Sequence, residues 1–106
     1  MSRREQIEQL LAEEPNDVFL KYSLALEYDR EGNTAESLRR LEELMAVESP
    51  YVPAFHMAGQ IYAKSGQTEE AREVLRKGIE IARAQGRQHD AAEMADLLAT
   101  LGKGEG

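Results

Sequence analysis

Apolar residues recur at helical spacing in six runs, each broken by proline or glycine. Ile7, Leu10 and Leu11 stand at i, i+3 and i+4 behind Ser2 and Glu5, which have the spacing of a capping box, and Pro15 closes the run. The second run holds Val18, Phe19, Leu20, Tyr22, Leu24, Ala25, Leu26 and Tyr28. That is too many for one stripe, so this helix is predicted to be covered on more than one side. Asn16 or Asp17 is expected to cap it and Gly32 to end it. Leu38, Leu41, Leu44 and Met45 mark a third helix, expected to be capped by Thr34 and closed at Ser49–Pro50. The fourth has Pro53 in its first turn, carries Phe55, Met57, Ala58, Ile61 and Tyr62, and stops at Gly66. Thr68 is expected to cap a fifth, with Ala71, Val74, Leu75, Ile79 and Ile81, ending at Gly86. Asp90 and Glu93 have the spacing of an acidic capping box for a sixth, with Met94, Leu97, Leu98 and Leu101, stopped by Gly102. The pattern predicts an all-α fold of about six antiparallel helices, with a disordered tail over 103–106.

The runs repeat. Gly32 and Gly66 lie 34 residues apart, and Tyr28 pairs with Tyr62, Thr34 with Thr68, Glu36 with Glu70, and Leu41 with Leu75. Pro15 stands 34 residues before Ser49, and Gly102 stands 36 after Gly66. A single domain over 1–102 is therefore expected, with a leading half-repeat at about 2–14, repeats at 17–49 and 51–85, and a last helix at 90–101. In such an array each helix pair leaves an apolar face that only a neighbour can cover, so the half-repeats are expected to act as caps. Tyr62 and Leu75 are both expected to be buried.

The residues at these places resemble the tetratricopeptide repeat. The second unit matches best, through Phe55, Ala58-Gly59, Tyr62, Gly66, Ala71, Leu75 and Gly78; the first offers Leu24-Ala25, Tyr28, Gly32, Ser37, Leu41 and Leu44. Three departures stand out: Lys21 replaces an aromatic, Pro50 comes one place late, and Arg83 replaces the closing proline of the second unit. The resemblance, which covers about 17–84, implies a short right-handed α-solenoid. It also implies a protein-interaction module or adaptor, without catalysis, that takes a peptide or helix of a partner protein in a concave groove. The family register would line that groove with Phe19, Tyr22 and Leu26 from one unit and His56, Gln60 and Lys64 from the next. Tyr22 and Leu26 fall where some members of the family carry the Lys and Asn of a clamp for a peptide's terminal carboxylate, so no clamp is expected. The stripe Phe19, Tyr22, Leu26 also admits a second reading, as the seat of the first helix. The alternative function is a structural element that pairs with its own copy.

Composition narrows the chemistry. The chain has 106 residues, no cysteine and no tryptophan, which excludes disulfides and thiolate metal sites. Its 13 basic and 20 acidic residues give a formal charge of −7, and no basic cluster offers phosphate a footing, so nucleic acid is not an expected partner. No apolar run reaches membrane-spanning length, and Met1–Ile7 has no signal-like apolar stretch, so a soluble cytoplasmic protein is expected. His56 has only Gln60 at helical spacing, and His89 reaches Glu93, so neither starts a metal site. The serines lack a nucleophile-elbow context, and Gly102-Lys103 lacks the rest of a phosphate loop. Glu36/Arg40, Arg39/Glu43 and Glu73/Lys77 read as i, i+4 surface pairs. No catalytic residue and no cofactor is expected.

Overall fold

The computed structural model describes residues 1–102, and the tail expected at 103–106 lies outside the described residues. The described residues form six helices and no strand: α1 (Arg3–Glu13), α2 (Val18–Arg30), α3 (Thr34–Met45), α4 (Val52–Lys64), α5 (Thr68–Ala84) and α6 (Gln88–Gly102). They divide into two compact units, Met1–Tyr51 with α1–α3 and Val52–Gly106 with α4–α6.

Glycines in the left-handed region end three of the helices. Gly32, Gly66 and Gly86 have φ of 83°, 80° and 76°. At each, the following N–H reaches back to the helix: Asn33 to Tyr28 O at 2.8 Å, Gln67 to Tyr62 O at 2.8 Å, and Arg87 to Ala82 O at 2.7 Å. The glycine N–H bonds the next carbonyl along, giving the paired bonds of a Schellman turn. A residue with a Cβ would be strained at such a φ.

The starts are set partly as expected. Ser2 and Glu5 form a full capping box on α1, and Asp17 accepts from the Leu20 N–H at the start of α2. At α3 and α5 the cap lies one residue earlier than expected. Asn33, not Thr34, caps α3 by accepting from the Glu36 N–H, and Gln67 stands at the cap of α5 without a side-chain bond. The reason is the tight turn. The residue after each glycine closes the old helix with its N–H and opens the new one with its carbonyl, which leaves the threonine inside the first turn. α6 starts at Gln88, two residues before the expected cap, and Asp90 there accepts from Arg87 Nε at 2.5 Å.

In the first unit α2 packs on α3 and on α1. Leu24, Ala25, Leu41 and Leu44 form its centre, joined by Ile7 from α1. The buried Ser37 hydroxyl donates to Ala25 O at 2.7 Å, so the close contact of α2 with α3 leaves no bare hydroxyl. Glu27, 7% exposed, is held by Arg3 at 2.7 Å and Arg30 at 3.0 Å. Tyr28 lies between two guanidinium groups, Arg4 from α1 and Arg40 from α3, each 5.4 Å from the ring centre.

In the second unit α5 packs on both α4 and α6. Phe55, Ala58, Ile61, Ala71, Leu75, Ala82 and Met94 are buried. A Cβ on Gly78 would meet Phe55 Cβ at 2.6 Å and Met94 Sδ at 2.7 Å, so α5 needs glycine where α4 and α6 both press on it. Leu75 is fully buried as expected, but Tyr62 is only half-buried. It stands at the margin of the α4 face that buries Ala58, Gly59 and Ile61.

Candidate functional site

The six residues expected to line a groove fall three in each unit. Phe19, Tyr22 and Leu26 lie along α2, and His56, Gln60 and Lys64 lie along α4.

On α2 the buried face is Leu24, Ala25 and Glu27, and Phe19 points away from it with 66% of its surface exposed. The expectation that α2 is covered on more than one side therefore fails in its first turns, where Val18 is also exposed. The polar contacts of α1 with α2 show why. They reach Glu27, Tyr28 and Glu31, in the second half of the helix and beyond. Tyr22 is half-buried and meets Tyr51 edge-to-face, with ring centres 5.3 Å apart and planes at 65°. Burial, and then Tyr51, push the Tyr22 phenol above its ordinary 10.0. Leu26, one turn further on, is half-buried. The arrangement is an aromatic step, with Phe19 free in solvent and the Tyr22–Tyr51 pair braced beside it.

On α4 the buried face is Val52, Ala54, Phe55, Ala58, Gly59 and Ile61. His56, Gln60 and Lys64 follow one another at four-residue steps on another side of the helix. His56 is half-buried, and the other two are exposed. Gln60 Nε2 stands 3.3 Å from His56 Nε2, so the amide donates to the imidazole when the ring carries its proton on Nδ1. Gln60 and Lys64 are both exposed, so the amide carbonyl remains as an acceptor and the ammonium as a donor.

Among the described residues no group of three or more His, Asp or Glu side chains could hold a metal ion, and no helix is long and apolar enough to cross a membrane. The structure adds two features that the spacing did not point to. Tyr51 sits in a loop outside every apolar stripe, and its role as the partner of Tyr22 appears only in three dimensions. An open groove between α5 and α6 is the other.

Comparison with known proteins matches residues 52–85 to the tetratricopeptide repeat family. The solution structure of a tetratricopeptide repeat domain protein from Salinibacter ruber is 32% identical, covers 82% of this chain and 88% of that one, and superposes with a TM-score of 0.77. A protein of Bordetella parapertussis, 21% identical, shares the fold over 99% of this chain and 91% of its own, with a TM-score of 0.84. Among curated proteins, human antiviral innate immune response effector IFIT1 is 32% identical over 66 residues. That match covers 62% of this chain and only 14% of the effector.

Proposed function

The chain belongs to the tetratricopeptide repeat family, and from that premise we propose that it is a protein-interaction module whose α2 and α4 faces receive a peptide or helix of a partner protein. The fold is in general a scaffold for binding other proteins, and it carries no chemistry of its own. The observation that carries the proposal is Phe19. A phenylalanine 66% exposed beside a braced tyrosine pair is costly in water and matches the aromatic anchors that dominate interfaces. In this reading Phe19, Tyr22 and Leu26 supply apolar contact, while Gln60 and Lys64 orient the ligand's backbone or an acidic side chain. In this reading the module is non-catalytic and acts in the cytoplasm.

Selection from a library of displayed random peptides tests this whatever the natural partner is. The wild-type chain should enrich a family of related peptides, and the double variant Tyr22→Ala/Gln60→Ala should lose them while keeping its helical circular dichroism. A folded double variant that enriches the same peptides would overturn the assignment of these faces. The exposed arginines Arg39 on α3 and Arg76 on α5 would then mark the surfaces to test.

A further inference from the structure

We propose that the open groove between α5 and α6 of one molecule receives α1 of a second copy, so that two unpaired helices join as one complete repeat. The groove has a volume of about 520 Å³ and is lined by Arg76, Ile79, Glu80 and Arg83 of α5 with Ala95 and Leu98 of α6.

The repeat register shows what each side is missing. Ile7, Leu41 and Leu75 follow one another at 34-residue steps, and all three are buried. Three residues on, the equivalent positions are Leu10, Leu44 and Gly78. Leu44 is 5% exposed, and Gly78 is enclosed by Phe55 from the helix before it and Met94 from the helix after it. Leu10 is 51% exposed. Its helix packs on α2, whereas its counterpart Gly78 also meets Phe55 from the first helix of its own pair. On α6 the converse holds. A 36-residue step places Ala95 on Gly59, and Gly59 is the residue against which Leu75 of the next helix presses. Ala95 lines the open groove instead. So α1 is a second helix with one side bare, and α6 is a first helix whose seat for a second is bare.

Charge favours the same union. The first unit holds 6 basic and 12 acidic residues, a balance of −6; the second holds 7 and 8, a balance of −1. Glu13 and Glu14 are exposed at the end of α1, whose last turn has no basic residue. Arg76 and Arg83 are exposed along the groove. Placing α1 there sets acid against base and avoids apposing two strongly acidic units. The contact joins different surfaces of the two copies, so association should climb in steps with concentration unless a ring closes it. It uses α1, α5 and α6 and does not depend on the partner faces of α2 and α4.

Sedimentation equilibrium of the full chain, from micromolar to millimolar, tests the proposal. The weight-average mass should rise above the 11.9 kDa of one chain. Leu10→Glu should hold it at one chain, as should Arg76→Glu/Arg83→Glu alone and Glu13→Arg/Glu14→Arg alone. An equal mixture of the two charge-reversed chains should associate again, because each then offers the other a complementary surface. All four charged positions are exposed, so these variants should keep wild-type helicity. A mass that stays at one chain throughout, or association that survives every one of these substitutions, would overturn it.

Discussion

A Cβ on Gly59 would lie 2.5 Å from Leu75 Cδ2 and 2.7 Å from its Cγ. The two helices of the second pair are thus locked together by the pairing of no side chain with a fully buried one. Gly59→Ala gains up to about 1 kcal/mol of helix propensity but must displace Leu75, and overpacking of this kind costs about 1–3 kcal/mol. Leu75→Ala should cost about 2–5 kcal/mol through lost burial and a cavity. The double variant should be more stable than Leu75→Ala alone, because the new methyl then enters the vacated space. Chemical denaturation of the four chains checks this, and additive costs would contradict the contact.

The α2–α3 turn predicts a contrast between neighbours. Asn33 accepts from the Glu36 N–H at 3.3 Å, whereas Thr34 is already helical. Asn33→Ala should cost about 0.5–2 kcal/mol as a lost cap, and Thr34→Ala should be smaller than that. Thermal melts that rank the two the other way would restore threonine as the cap.

Glu36 carries an acid-side signature. It accepts from Arg39 at 3.0 and 2.5 Å and from Arg40 at 2.8 Å, and these bonds, Arg39 first, pull its carboxyl from an ordinary 4.5 to about 2. The folded chain therefore favours the ionised form more than the unfolded chain does. That contribution is complete above about 4.5 and is lost as the pH falls toward 2. Glu36→Gln should flatten the fall in stability across that window and leave its slope near neutrality unchanged. Parallel acid titrations by circular dichroism would show it, and identical acid limbs would contradict it.

Arg72, 6% exposed on α5, donates to Leu101 O at 3.0 Å and forms an ion pair with Glu69. It holds one of the carbonyls that the end of α6 cannot satisfy internally. Arg72→Leu should loosen that last turn, with amide exchange about 10- to 100-fold faster for a lost charged bond of about 1.5–3 kcal/mol. Exchange that speeds up no more there than in α4 would remove this role.

Most of the fold was legible because it rests on local chemistry. The 34-residue spacing of Gly32 and Gly66 reports a backbone need that few other residues meet, and Ser2, Asp17 and Gly86 act where their types suggest. The errors lie where two local rules compete. Thr34 and Thr68 are good caps by type, yet the closing turn of the preceding helix moves the cap one residue back. Exposure was harder still. Phe19 and Leu24 are equally apolar and share a helix, but only the reach of α1 and α3 decides that one is bare and the other buried. Tyr51 could not be found at all, since nothing in a loop position says which ring it will meet.

Site-specific photo-crosslinking at Phe19 tests the interaction reading most directly. A benzoylphenylalanine replacing Phe19, in cells that make the protein, should give a discrete crosslinked partner that is lost when Tyr22→Ala/Gln60→Ala is added. The same probe at Arg39 or Lys77 should not capture it. Capture from Arg39 or Lys77 with none from position 19 would contradict the interaction reading.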